Sequence, residues 1–181
     1  GGPDSLSQLQ GCAFGAGAWS FVWFLLGVGR LYRPAVAVLA LVAGLALAVM
    51  AARGVGAWRA GERDAGRDGR LELAAWAMLA LPVALALVAA LAPPTGKDAL
   101  TYHRAVPKAY LAAGGIVELS ENIPSYFALG AEMHGLWAML LGGLASHRVG
   151  EVAFGAVLFA FFPLLLATVY GWARERALAA E

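Results

Sequence analysis

The sequence predicts an all-α protein: a polytopic transmembrane helical bundle of about five spans, with one short amphipathic helical loop outside the bilayer. Two observations carry that expectation. Hydrophobic residues make up 61% of the 181 residues and charged ones only 14%, against roughly 25% in an ordinary soluble domain. The charges are also unevenly placed, gathered between long stretches that hold almost none. A chain so poor in polar surface needs lipid as part of its solvent. Disordered tails, disulfide scaffolds and cytosolic enzymes fit poorly. Nucleic-acid binding fits no better, because 13 Lys and Arg against 12 Asp and Glu leave a formal charge of +1.

Crossing the hydrocarbon core takes roughly 20 apolar residues at 1.5 Å per residue, and the backbone there must satisfy its own hydrogen bonds. The first such stretch is 11–29. It contains the single cysteine, Cys12, which reads as a small apolar helix residue rather than a lipidation site, because the apolar run follows it. Arg30 to Pro34 interrupts the run, and Pro34 suits the first turn of a second helix over 34–52. A third spans 71–92 and contains Pro82, tolerable as a kink in lipid. The fourth and fifth are 126–145 and 149–172. With Gly1-Gly2-Pro3 at one end and a charged helical tail at the other, the chain reads as a piece of a longer protein.

Orientation does not follow from charge. Counting Lys and Arg on alternate sides gives seven against six. The connection 53–70, with five arginines, three acids and several glycines, reads as a solvated loop.

The connection 93–125 is of another kind. Pro93-Pro94 ends the third span, since proline lacks a donor and restricts the residue before it. A short helix follows over 97–111 and stops at Gly114-Gly115. Asp98 falls in its first turn, where a cap or a favourable dipole contact is the plainest role for a carboxylate. Asp98, Thr101 and Tyr102 share a helix face, and Pro107 leaves the carbonyl of His103 free. Lys97, Arg104 and Lys108 suit anchors at the headgroups, and Tyr102, Tyr110 and Tyr126 an aromatic belt. His103 has no second histidine at metal-ligand spacing, so no metal site is expected.

Glu132 and His134 lie inside the fourth stretch. Ionisable groups in a span are costly and face a cavity or a partner, unless the helix starts later and leaves them solvated at its outer end. Either way they fall on the same membrane side as Asp98. Two carboxylates with cations between them can activate a nucleophile and hold an anionic leaving group.

These residues carry a resemblance. Pro93, Pro94, Asp98, Ala99, Leu100, Tyr102, His103, Pro107, Lys108, Tyr110 and Leu111 form a pattern similar to the first extracytoplasmic loop of bacterial GT-C-type membrane glycosyltransferases. That class includes protein O-mannosyltransferases and aminoarabinose transferases. The likeness continues through Gly115-Ile116-Val117, Asn122, Ser125-Tyr126-Phe127 and Glu132-Met133, and covers about 93–144.

It implies transfer of a sugar from a polyprenyl-phosphate donor to a lipid, glycan or protein acceptor at the outer face of the bacterial cytoplasmic membrane. It also implies that 93–125 lies outside and 53–70 inside, and that this chain is the N-terminal part of the enzyme. The catalytic carboxylate of such a loop maps onto Asp98. Tyr102, His103, Lys97, Arg104, Lys108, Glu132 and His134 become its substrate-binding candidates. Where many relatives carry two adjacent acids, this chain has Asp98-Ala99, so a divalent metal is not required. The rival expectation is a transporter or channel subunit using Glu132 and His134 as an ion or proton site.

Overall fold

The computed structural model describes residues 5–54, 69–126 and 129–178, and all of its regular structure is helical. In chain order the helices are α1 Ser5–Val28, α2 Pro34–Gly54, α3 Gly69–Leu91, α4 Ala105–Ala113, α5 Gly130–Gly143 and α6 His147–Leu178. A π-helical turn, Ala99–His103, leads into α4, and a 3₁₀ turn, Ile123–Tyr126, precedes α5. The 53–70 loop expected from the sequence falls almost wholly on 55–68, outside the described residues.

Among the described residues two helical stretches are long and apolar enough to cross a membrane, Leu9–Val28 of α1 and His147–Ala173 of α6. The apolar parts of α2 and α3, Pro34–Met50 and Trp76–Leu91, are shorter. At 14 residues α5 is about 21 Å long, less than the roughly 30 Å of a hydrocarbon core. The stretch 126–145 therefore is not one continuous crossing helix. Its first residue, Tyr126, is the last of a 3₁₀ turn, and α5 begins only at Gly130.

Small residues set how closely the helices approach. A side chain at Gly142 would meet the backbone of Gly150 and Val149 at 2.8 Å, and one at Gly135 would strike the Phe154 ring. α5 and α6 thus form a tight antiparallel hairpin, and Ser146 Oγ caps α6 by accepting from Val149 N–H at 3.2 Å. Gly155 lies against the Ala90 carbonyl, and Trp76 meets Tyr170 at 5.8 Å, so α3 also runs antiparallel to α6. α3 and α5 therefore point the same way, whereas successive spans of a simple bundle alternate. The connection between them has to carry the chain back along α6, and α4 does part of that.

Glycine and a left-handed residue end both helices that flank this return. α1 closes with Leu31 N–H bonded to Leu26 O and Arg30 N–H to Gly27 O, with Arg30 at φ 55°. α4 closes the same way, Gly115 N–H to Tyr110 O and Gly114 N–H to Leu111 O, with Gly114 at φ 72°. The two ends then bond to each other: Ile116 N–H donates to Gly27 O at 2.9 Å and Tyr32 N–H to Gly114 O at 3.1 Å. Only glycine fits at 115, because a Cβ there would sit 2.6 Å from the Gly27 carbonyl.

The core gathers here. Trp23, Tyr32, Ala37, Val106, Tyr110, Met133 and Leu136 form one buried cluster where α1, the start of α2, α4 and α5 converge. The long helices instead turn large apolar side chains outward, among them Phe14, Phe21, Leu39, Leu47, Met78 and Leu85. That is the reverse of a soluble protein, and it is stable only where the outward face meets lipid or another protein.

Candidate functional site

The π-helical turn organises the site. Arg104 N–H bonds to Ala99 O at 3.0 Å, the i+5 pairing of a π turn, a form concentrated at functional positions. Thr101 Oγ donates to Lys97 O at 2.7 Å, and Asn122 Nδ2 donates to Thr101 O at 2.8 Å, tying the turn to the chain beyond α4. The expected single helix over 97–111 is therefore two pieces, and Pro107 falls in the first turn of α4, where no donor is needed.

From this turn two side chains reach the α5–α6 hairpin. His103 Nδ1 lies 2.5 Å from Glu132 Oε1, and the Glu132 side chain is buried while that of His103 is 43% exposed. Tyr102 packs its ring on the imidazole with centroids 4.0 Å apart. Arg104 turns the other way, donating from Nη1 to both the Glu151 carboxylate and the Glu151 main-chain carbonyl at 3.1 Å, with its guanidinium over the Phe154 ring. Lys108 Nζ lies 2.8 Å from the second Glu151 oxygen, and His147 Nε2 3.7 Å from the same atom.

The sequence candidates separate accordingly. Asp98 is exposed beside the π turn, and its carboxylate makes no capping bond, so the expected cap is not formed. Lys97 is exposed next to it. Arg104 is buried, and it and Lys108 are bound to Glu151 rather than standing free as headgroup anchors. Glu132 and His134 are buried in α5, not solvated at its end, and His134 packs edge-on against Phe161 at 4.9 Å. The three tyrosines do not form one belt. Tyr110 is buried, and Tyr126 is exposed and donates to Glu118 Oε1 at 3.0 Å. That bond, more than any burial, raises the Tyr126 pKa, and burial raises that of Tyr110.

Glu151 is the residue that sequence reasoning missed. It lies within the fifth apolar stretch, where a single acid near a helix start carries no spacing signal. The usable signal was the cost of a carboxylate at a bilayer edge unless cations accompany it. Among the described residues no group of three or more His, Cys, Asp or Glu could hold a metal ion. A cavity of about 500 Å³ is walled by Phe21 and Phe24 of α1 and by Tyr110, Ile116, Leu129 and Met133; none of Asp98, His103, Arg104, Glu132 or Glu151 lines it. Ser20 closes one edge, its Oγ donating to Gly130 O at 2.6 Å.

Comparison with protein-family profiles, with curated proteins and with solved structures finds no match to this chain.

Proposed function

We propose that this chain is the N-terminal part of a multi-pass membrane glycosyltransferase, which moves a sugar from a polyprenyl-phosphate donor to an acceptor hydroxyl at the outer face of the bacterial cytoplasmic membrane. The observation that carries it is the contrast among three carboxylates. Glu132 and Glu151 are engaged by His103, Arg104 and Lys108, while Asp98 is exposed and unengaged on a turn anchored at both ends. A carboxylate kept free on a rigid support is available to an incoming acceptor. The sequence pattern around Asp98 agrees, and the apolar cavity against α1 suits the chain of a lipid donor.

In this reading 93–125 faces the extracytoplasmic side, and the apolar stretches lie in the bilayer, with α5 enclosed by the other helices. Arg104 and Lys108 hold α4 in place through Glu151, so they act on the substrate indirectly. Asp98→Asn in the complete protein, supplied with a polyprenyl-phosphate sugar, lowers transfer by about 10²-fold with normal expression, through lost positioning of the acceptor. Undiminished transfer overturns the assignment.

A second reading rests on burial. Glu132 and His134 are enclosed between helices, as in a proton-conducting subunit. It calls for proton flux in reconstituted vesicles that Glu132→Gln abolishes; vesicles that stay proton-tight reject it.

A further inference from the structure

The His103–Glu132 pair has the geometry of an oriented base. With Glu132 ionised and the imidazole neutral, the carboxylate accepts from Nδ1–H, which leaves the lone pair on Nε2. Glu132 itself is held in the first two turns of α5, and its side chain is 7% exposed. The imidazole is 43% exposed and Tyr102 lies against it at a tilt of 39°, so the ring is held by Glu132 on one side and Tyr102 on another while part of it reaches solvent. Among the described residues no hydrogen bond or ion pair engages Nε2. The charged groups packed nearby are Glu132 from α5 and Arg104 and Lys108 at the start of α4, the last two both paired with the single carboxylate of Glu151 of α6.

We propose that His103 is the proton acceptor of this site and Glu132 its positioning residue. The inference rests on the glycosyl-transfer reading and adds the group that takes the acceptor's proton, leaving Asp98 to bind and orient that acceptor. As the acceptor oxygen bonds to the sugar carbon, its proton passes to Nε2. The bond from that carbon to the donor phosphate breaks, and its electron pair leaves on the phosphate oxygen. The imidazolium so formed faces the Glu132 carboxylate, and its proton later escapes to water across the exposed edge. An orienting acid and an imidazole in these roles form a recurrent arrangement in hydroxyl activation.

Two measurements test it in the complete protein in lipid nanodiscs. Long-range proton–nitrogen NMR of histidine-labelled protein at neutral pH is expected to show His103 with its proton on Nδ1, and Glu132→Gln to mix the tautomers. A dominant Nε2–H form in the unmutated protein overturns the proposal without reference to activity. In the transfer assay His103→Gln lowers kcat by at least about 10²-fold and removes the acid limb of the pH–rate profile, with the KM for donor little changed. Glu132→Gln lowers kcat but keeps the acid limb, and Glu132→Asp recovers part of the rate. Transfer by His103→Gln with its acid limb intact means that the pair only holds α5 to the π turn. If Asp98→Asn also transfers normally, the glycosyl-transfer reading falls, whereas the tautomer result stands or falls by itself.

Discussion

Arg104 and Glu151 are joined twice: one guanidinium nitrogen donates at 3.1 Å both to the Glu151 carboxylate and to its main-chain carbonyl. The paired contact ties the start of α4 to α6 near its N-terminal end, through two residues 47 apart in the chain. Both side chains are largely buried, so each needs the other.

Glu151→Ala is therefore expected to destabilise the fold by about 3 kcal/mol, because it strands a buried guanidinium. Lys108→Ala should cost less than about 1 kcal/mol, since Lys108 is far more exposed and water replaces its partner. Thermal unfolding in nanodiscs separates the two, and limited proteolysis of 92–129 should accelerate only in the Glu151 variant. Equal losses would mean that exposure does not govern this cluster.

Neighbouring glycines on α5 should respond oppositely. A methyl at Gly142 meets the Gly150 and Val149 backbone, and backbone cannot step aside, so Gly142→Ala is expected to cost about 1–3 kcal/mol. At Gly143 nothing lies within 4 Å, and Gly143→Ala should be neutral or stabilising by up to about 1 kcal/mol through helix propensity. Paired melting curves decide it.

Tyr32 makes the fold sensitive to alkali. Its hydroxyl donates to the Trp23 carbonyl at 3.0 Å, and burial, helped by nearby Tyr110, pushes its pKa well above the ordinary phenol value near 10. A raised pKa in the folded state means that the folded form binds more protons than the unfolded one above pH ~10. The stabilisation is complete below that pH and is lost as pH rises toward the folded value. Tyr32→Phe should lower stability at neutral pH by about 1 kcal/mol and flatten the alkaline decline, leaving the share of Tyr110. Melting temperatures against pH, with phenolate absorbance alongside, check both effects.

The outward apolar faces of α1 and α6 predict that the protein stays in the membrane fraction after alkaline carbonate washing and is released by detergent. A lipid-soluble photoreactive probe should label Phe14 and Phe21 of α1 but spare buried Trp23 and Leu136. Release by carbonate would remove the membrane reading altogether.

Much of this was legible in the chain. The helix expected over 97–111 divides into a π turn and α4, but it ends at Gly114 as the sequence predicts, because a left-handed residue costs glycine nothing. The connection 93–125 holds His103 and Arg104, but the acids they meet, Glu132 and Glu151, come from α5 and α6. The sequence allows Glu132 and His134 to be buried or solvated at the outer end of their helix, and both are buried.

Sequence by itself determined the helical class, the apolar composition that calls for lipid, and the segment in which polar groups concentrate. These depend on residue type and local spacing, which neighbours along the chain settle. Pairing was decided only in three dimensions: His103 with Glu132 across 29 residues, Arg104 with Glu151 across 47, and Asp98 with neither. Hydrophobicity is additive along a chain and can be read in order. The partner of a charge depends on where helix packing brings it, and here glycines 135, 142 and 155 set that packing by letting α3 and α5 lie close against α6.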